Sequence, residues 1–206
     1  MITEVDKRVW REIRRKHIIS LTRAYRKGLV DEDIIPLIKE INNYSDDCVT
    51  TSSCYGRIVL ISFRYIGDKS LSSFYRKWHK PIEKDILWRE IHRYKGRHTL
   101  WLLLQSTIIH IKCRTLDKAI ELRNMGLEAG YKYSKILSIS SRGFTTEISG
   151  TERLNLPVKR GDKILINEEF MEYFSEIMKE MFERIEIKKN RLIEILKNKN
   201  LKIRKN

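Results

Sequence analysis

The chain has 206 residues, enough for one core with an appendage but a squeeze for two full domains. Lysine and arginine total 42 against 27 acids, a formal charge of +15 that favours polyanions, with nucleic acid ahead of an anionic membrane surface. No run of 18 apolar residues occurs and MITEVDKRVWREIRRK holds no apolar signal core, which argues against a spanning helix and predicts a cytoplasmic protein.

Between Val5 and Leu21, Val9, Trp10, Ile13 and His17 recur at helical spacing among Arg8, Arg11, Arg14, Arg15 and Lys16. This predicts a basic amphipathic helix broken at Gly28. A second helix places Ile34, Leu37, Ile38 and Ile41 on one side. Proline suits only a first turn, so Pro36 sets the N-cap at or near Asp33 and leaves Asp31 in the loop before it. The stretch TTSSCYGRIVLI, Thr50 to Ile61, reads as one strand, a turn that uses Gly56, and a second strand from Ile58, the two forming a pair.

From Arg64 to His98 there are ten lysines or arginines against four acids, interleaved with Tyr65, Phe74, Tyr75, Trp78, Trp88 and Tyr94. Leu100 to Cys113 reads as two short strands or one long bent one. A helix is predicted from about Leu116 to Ala129, ended by Gly130. Two strands follow, joined at Ser140 to Gly143. The order helix, strand, serine-bearing turn with glycine, strand thus occurs twice, a candidate internal duplication. Pro157 is assigned to a loop. Asn167 is the predicted N-cap of a long helix through Phe170, Phe174, Ile177, Met178, Met181 and Ile185, turning basic past Lys188. The last ten residues carry five positive charges and no acid, which predicts a frayed arm.

The expected fold class is α+β: a mixed β-sheet with packed helices and a long basic C-terminal helix. Residues 1–166 are assigned to a single catalytic domain with a basic N-terminal helix. Residues 167–206 are assigned to a helix and arm packing on that same domain.

The nine glycines contain no G-x-G pair, so the glycine-rich nucleotide loops of doubly wound enzymes are absent. Backbone N–H groups and hydroxyls around Ser52, Ser53 and Cys54 could cradle a ligand, with Arg57 adding charge. The bland alternative is an ordinary turn, where serine and threonine are common. Cys54 as a nucleophile needs a base or positive field, and no histidine is near it in sequence. His79, in RKWHKP beside Trp78, sits among bases and aromatics, a pattern that suits unstacked RNA and equally suits a solvated charge run. His110 on an apolar strand reads more simply as a hydrogen-bonded core histidine. Cys48, Cys54 and Cys113 form no C-x-x-C pair and the five histidines lack ligand spacing, so neither a disulfide framework nor a metal site is expected.

Six blocks in order resemble one family: KGLVDEDIIPLIKEIN (Lys27 to Asn42), TTSSCYGRIVL (Thr50 to Leu60), KWHKP (Lys77 to Pro81), IIHIKC (Ile108 to Cys113), GLEAGYKYSKI (Gly126 to Ile136) and TERLNLP (Thr151 to Pro157). The family is that of the tRNA wybutosine-synthesizing methyltransferases acting third in that pathway, including the archaeal Taw-type members. Two positions depart from its pattern. Tyr55 replaces the third serine of the family's S-S-C-S-G-R, and Gly150 replaces the serine that often precedes T-E-R.

The resemblance implies an S-adenosylmethionine-dependent transfer of a methyl group to N4 of a tricyclic, guanosine-derived base beside the anticodon of tRNA(Phe), by an enzyme outside the doubly wound fold and assumed monomeric. It assigns Asp31 and His79 to catalysis, with Asp31 either accepting a proton or holding a cofactor group. Ser52, Ser53, Cys54, Gly56 and His110 are assigned to the cofactor, His110 being also a candidate base. Arg57, Trp78, Thr151, Glu152 and Arg153 are assigned to the substrate. Two other classes stay open: a non-catalytic RNA-binding protein using the basic-aromatic surface, and a cysteine-dependent RNA-modifying or hydrolytic enzyme built on Cys54.

Overall fold

A computed structural model describes residues 3–64 and 72–205, so Tyr65 of the aromatic-basic segment and terminal Asn206 lie outside the described residues. The chain divides into two compact units that interleave in sequence. Unit 1 comprises Met1–Tyr55, Thr107–Thr151 and Glu186–Asn206, and unit 2 comprises Gly56–Ser106 and Glu152–Ile185.

Unit 1 begins with α1 (Lys7–Arg26), capped by Asp6, whose carboxylate accepts from the N–H groups of Arg8 at 2.8 Å and Val9 at 3.2 Å. Trp10 and Ile13 are buried on one stripe, each worth roughly 1.5–3 kcal/mol of transfer free energy, while Val9 faces outward. Gly28 takes a left-handed φ of 64°, which glycine tolerates without strain. A short 3-10 turn (Glu32–Ile34) then leads into α2 (Ile35–Tyr44), with Pro36 in its first turn. The cap thus falls on Ile34, one residue past the expected Asp33, because the 3-10 turn takes up the intervening residues.

Strands β1 (Cys48–Cys54), β5 (Ile108–Cys113), β7 (Gly143–Ser149) and β6 (Lys135–Ser140) form an antiparallel sheet in the order β1-β5-β7-β6. Between the last two strands of that order in space runs the expected hairpin, and before it α4 (Leu116–Glu128) ends at Gly130, φ 100°. Ile34, Leu37, Ile41, Val49, Ile111, Leu122, Met125, Phe144 and Ile148 are buried in this unit.

Unit 2 is built on a five-stranded sheet ordered β3-β2-β4-β8-β9. Its strands are β2 (Arg57–Phe63), β3 (Ser73–Trp78), β4 (Thr99–Gln105), β8 (Leu154–Arg160) and β9 (Lys163–Ile164), with α3 (Lys84–Arg93) between β3 and β4. The apolar run Ile58 to Ile61 is buried along its length, together with Leu87, Ile91, Leu102, Leu104, Val158, Met171 and Phe174. Lys159 is buried with them and donates to the carbonyls of His92 at 2.7 Å and Tyr94 at 2.8 Å, and desolvation lowers its pKa. The 38-residue α5 (Glu168–Lys205) contributes its first half to unit 2 and its second to unit 1. Asn167 caps it as expected, accepting from Phe170 N–H at 2.9 Å. No described helix is long and apolar enough to cross a membrane.

The α+β class and the long C-terminal helix match the reading of the sequence, and several details differ from it. Every described strand pairing is antiparallel and there are two sheets rather than one mixed sheet. β1 and β2 do not pair with each other; they belong to different sheets, whereas β6 and β7 form a hairpin, so the two similar runs do not share a topology. Pro157 lies in β8, opposite Trp101 and beside a register shift, at a level where β8 has no partner on its other side because β9 meets only Lys159 and Arg160. An edge position of this kind tolerates a residue without an N–H. α5 continues through the segment expected to fray, as far as Lys205.

Candidate functional site

In unit 1 the side chains that matter are set by register. β1 meets β5 with a shift between Thr50 and Ser52, the mark of a bulge, which re-aims the strand at that point. Before the bulge Thr50 is buried and bound twice by Asn42: its N–H donates to Oδ1 at 2.8 Å and its Oγ1 accepts from Nδ2 at 2.9 Å. After it Ser52 is exposed, and its hydroxyl lies 2.8 Å from Nδ1 of His110, its register partner.

The same register continues outward. His110 is opposite Glu147, with Nε2 3.0 Å from Oε2, and Glu147 is opposite Lys135, with Oε1 2.8 Å from the ammonium. Ser52, His110, Glu147 and Lys135 therefore form one polar row crossing all four strands. Burial by itself would raise the Glu147 carboxyl, but hydrogen bonds from Lys135, His110 and Ser149 together with the Lys135 charge hold it at about 2. A carboxylate on Nε2 fixes the proton there in the neutral ring, so Nδ1 becomes the acceptor for the Ser52 hydroxyl.

Ser52 and Ser53 also line a cavity of about 190 Å³ in unit 1, with Thr50, Thr51, His17, Ser20 and the apolar Leu29 and Val30. Burial first, then the positive charges of Lys112 and Arg142, push the His17 pKa down, so the cavity keeps a neutral imidazole. Asp31 follows Val30 directly, and its carboxylate accepts the Tyr55 N–H at 3.0 Å, tying the loop before α2 to the end of β1. Cys54, half-buried, is the last residue of β1, and all three cysteines are thiols. Burial pushes the Cys48 thiol up to about 12, and burial likewise raises Cys113, so neither is a thiolate at neutral pH.

Tyr55, where the family pattern has serine, is turned into the unit. It is 6% exposed, its hydroxyl donates to Glu186 at 2.6 Å, and the Lys189 ammonium lies 5.4 Å from its ring centre. Desolvation and Glu186 raise its pKa. Its carbonyl accepts from Thr107 Oγ1 at 2.6 Å.

Of the residues singled out in the sequence, Asp31, Ser52, Ser53, Cys54, His110 and exposed Thr151 thus belong to unit 1. Gly56, Arg57, Trp78, His79, Glu152 and Arg153 belong to unit 2. There, Gly56 takes a φ of 136°, a conformation that side chains resist. Arg57 is held by Gln105, its register partner, and stacks over Phe74 with 5.7 Å to the ring centre. Trp78 ends β3, half-buried, with His79 next to it, and Glu152 accepts from Ser106 Oγ at 2.8 Å.

Three residues of the site went unread in the sequence. Glu147 and Lys135 carry a signal, since charges inside short apolar strands are uncommon and have a reason when they occur. In the sequence His17 shows only as one position of an apolar helical face.

The family described as Methyltransferase TYW3 matches residues 6–198. A protein named tRNA(Phe) 7-((3-amino-3-carboxypropyl)-4-demethylwyosine(37)-N(4))-methyltransferase 1 from Pyrococcus furiosus is 39% identical over 87% of this chain and 90% of its own. The protein with the same name from Pyrococcus abyssi is 39% identical over 86% of this chain and 91% of its own. The solved structure of PH1069 protein from Pyrococcus horikoshii superposes with a TM-score of 0.86 at 34% identity, covering 92% of this chain and 96% of that one. A hypothetical protein from Aeropyrum pernix shares the fold, with a TM-score of 0.65 at 22% identity over 80% of this chain and 98% of that one.

Proposed function

The chain belongs to the TYW3 methyltransferase family, and we propose that it methylates N4 of the tricyclic wyosine-type base at position 37 of tRNA(Phe), with S-adenosylmethionine as donor. The substrate follows from the names of relatives that match almost end to end, and a formal charge of +15 suits an RNA partner.

The observation that carries the chemistry is the double position of Ser52, in the cavity wall and in hydrogen-bond contact with His110. When bound, the donor supplies an electrophilic methyl on a sulfonium. A nitrogen that takes this methyl must lose its proton. Ser52 receives that proton while passing its own to Nδ1 of His110, and the resulting imidazolium is stabilised by Glu147, 3.0 Å from Nε2. Glu147 is a positioning residue in this scheme.

The residues of the cavity fit part of the donor. Its volume of about 190 Å³ falls below the roughly 300–1,000 Å³ usual for whole small-ligand sites, and its hydroxyl-rich lining suits an amino-acid group. Ser53, Ser52 and Thr51 would hold that group, with Cys54 and His110 completing the donor side. Asp31 would place negative charge toward a cationic part of the donor. His79 is the second candidate base. Trp78 would stack on a base and Arg57, Thr151, Glu152 and Arg153 would order or contact the RNA.

The test is mass analysis of nucleosides from tRNA(Phe) bearing the demethylated tricyclic base, after incubation with protein and S-adenosylmethionine. The expected result is a gain of one methyl on that base. No gain, with donor binding intact by thermal shift, overturns the assignment.

A further inference from the structure

We propose that a groove along α1 is the docking site for the phosphate backbone of the tRNA body, an assignment that rests on the tRNA reading given above. The groove has a volume of about 510 Å³ and lies wholly in unit 1. Lys7, Arg11, Arg14 and Arg15 line it from one stripe of α1, and Arg114 lines it from the end of β5.

Two of the five cations are committed to the fold. Arg14 donates to the Asn42 carbonyl at 3.0 Å and lies 3.3 Å from Asp46, and Arg114 grips Asp47 at 2.6 and 3.2 Å. These two neutralise the groove's only acidic lining residues, Asp46 and Asp47. Lys7 and Arg11 have no ion pair or hydrogen-bonded side-chain partner among the described residues, and Arg15 meets only the exposed Glu12.

Lys7, Arg11 and Arg15 stand four residues apart, about 6 Å along the helix, a spacing comparable with that of successive phosphates on a polynucleotide strand. Like charges at this interval weaken a helix, so the fold itself gains nothing from the ladder. The whole helix carries eight lysines or arginines against one acid, Glu12, nearly half of the chain's formal +15.

A lipid surface is the poorer occupant. A helix that lies on a membrane inserts a continuous apolar face, and here that face is spent on the core through Trp10 and Ile13. The exposed apolar residues of α1, Val9, Ile19 and Tyr25, do not share one stripe.

The experiment measures binding of an unmodified tRNA(Phe) transcript against salt concentration, without donor, for the wild type and for the triple variant K7A/R11A/R15A. A control triple, K132A/R160A/K163A, removes the same charge at exposed positions elsewhere. The groove variant is expected to bind about tenfold or more weakly, with the slope of log affinity against log salt reduced by about 2 to 3. R11K/R15K should retain binding, which separates lost charge from a damaged helix. Equal losses in both triples, an unchanged slope, or a loss confined to phosphatidylserine vesicles would overturn the proposal. Should the precursor tRNA gain no methyl while the groove variant still loses slope, the groove stands and the assigned reaction falls.

Discussion

His110 and Glu147 are register partners on adjacent strands, and the imidazole Nε2 lies 3.0 Å from one oxygen of a carboxylate whose other oxygen is held by Lys135 and Ser149. A carboxylate fixed on one side of a histidine determines which ring nitrogen can act on the other.

Removing the acceptor should therefore slow the reaction without abolishing donor binding. His110→Gln and Ser52→Ala are each expected to lower kcat by roughly 10²–10⁴. Glu147→Gln should lower it less, since the Ser52–His110 contact is kept while the imidazolium formed in the step loses its counter-charge. Unchanged kcat in all three would remove the row from the chemical step and leave His79 as the base to examine.

Acid stability follows from the same carboxylate. Its folded pKa of about 2 lies below the ordinary glutamate value of 4.5, so the stabilisation is fully present above about 4.5 and is lost as pH falls toward 2. Urea unfolding should give wild type an advantage over Glu147→Gln on the order of 2 kcal/mol at pH 7, shrinking toward zero below pH 3. A gap that does not depend on pH would contradict this account.

His17 should titrate below its usual value of 6.5, because burial, Lys112 and Arg142 all disfavour its charged form. The folded state then binds its proton later than the unfolded chain as pH drops, so His17 makes stability fall from about pH 6.5 downward. An NMR titration with a His17 midpoint at or above 6.5 would show that the cavity does not keep it neutral.

Tyr55→Phe should cost about 1 kcal/mol, the worth of its hydroxyl bond to Glu186, while donor affinity stays unchanged. Glu186 keeps Lys189 and Asn190 as partners, which limits the penalty. A change in donor affinity comparable with that of Ser52→Ala would place the Tyr55 ring in the site after all.

Asn42→Ala should destabilise by about 1–3 kcal/mol, since it leaves the buried Thr50 N–H and hydroxyl without their partner just before the bulge. Thermal unfolding measures the loss, and Asn42→Asp should recover part of it because Oδ1 is retained.

Local signals carried much of the fold. The spacing from Leu116 to Gly130 gave α4 nearly to the residue, and the turn at Ser140 to Gly143 gave the β6–β7 hairpin, because both depend on contacts between sequence neighbours. Pairing between distant strands left no such trace. The break between two strands at Gly56 was legible, but nothing nearby tells β1 to pair with β5 and β2 with β4. The site shows the same division. Ser52 and His110 were singled out separately, whereas their contact depends on a register 58 residues long in sequence separation. Glu147 was missed because its meaning comes entirely from the strands on either side.

Neither unit is a continuous stretch of chain. During synthesis unit 2 has all of its residues once Ile185 is made, whereas unit 1, which holds Ser52 and His110, waits for the segment beginning at Glu186. The newborn chain must therefore carry β1 and β5 through most of translation before their surroundings are complete. A ribosome that stalls before the end of α5 would release a product whose unit 2 is complete in sequence and whose unit 1 has its four strands without their closing helical segment, a natural target for proteolytic clearance.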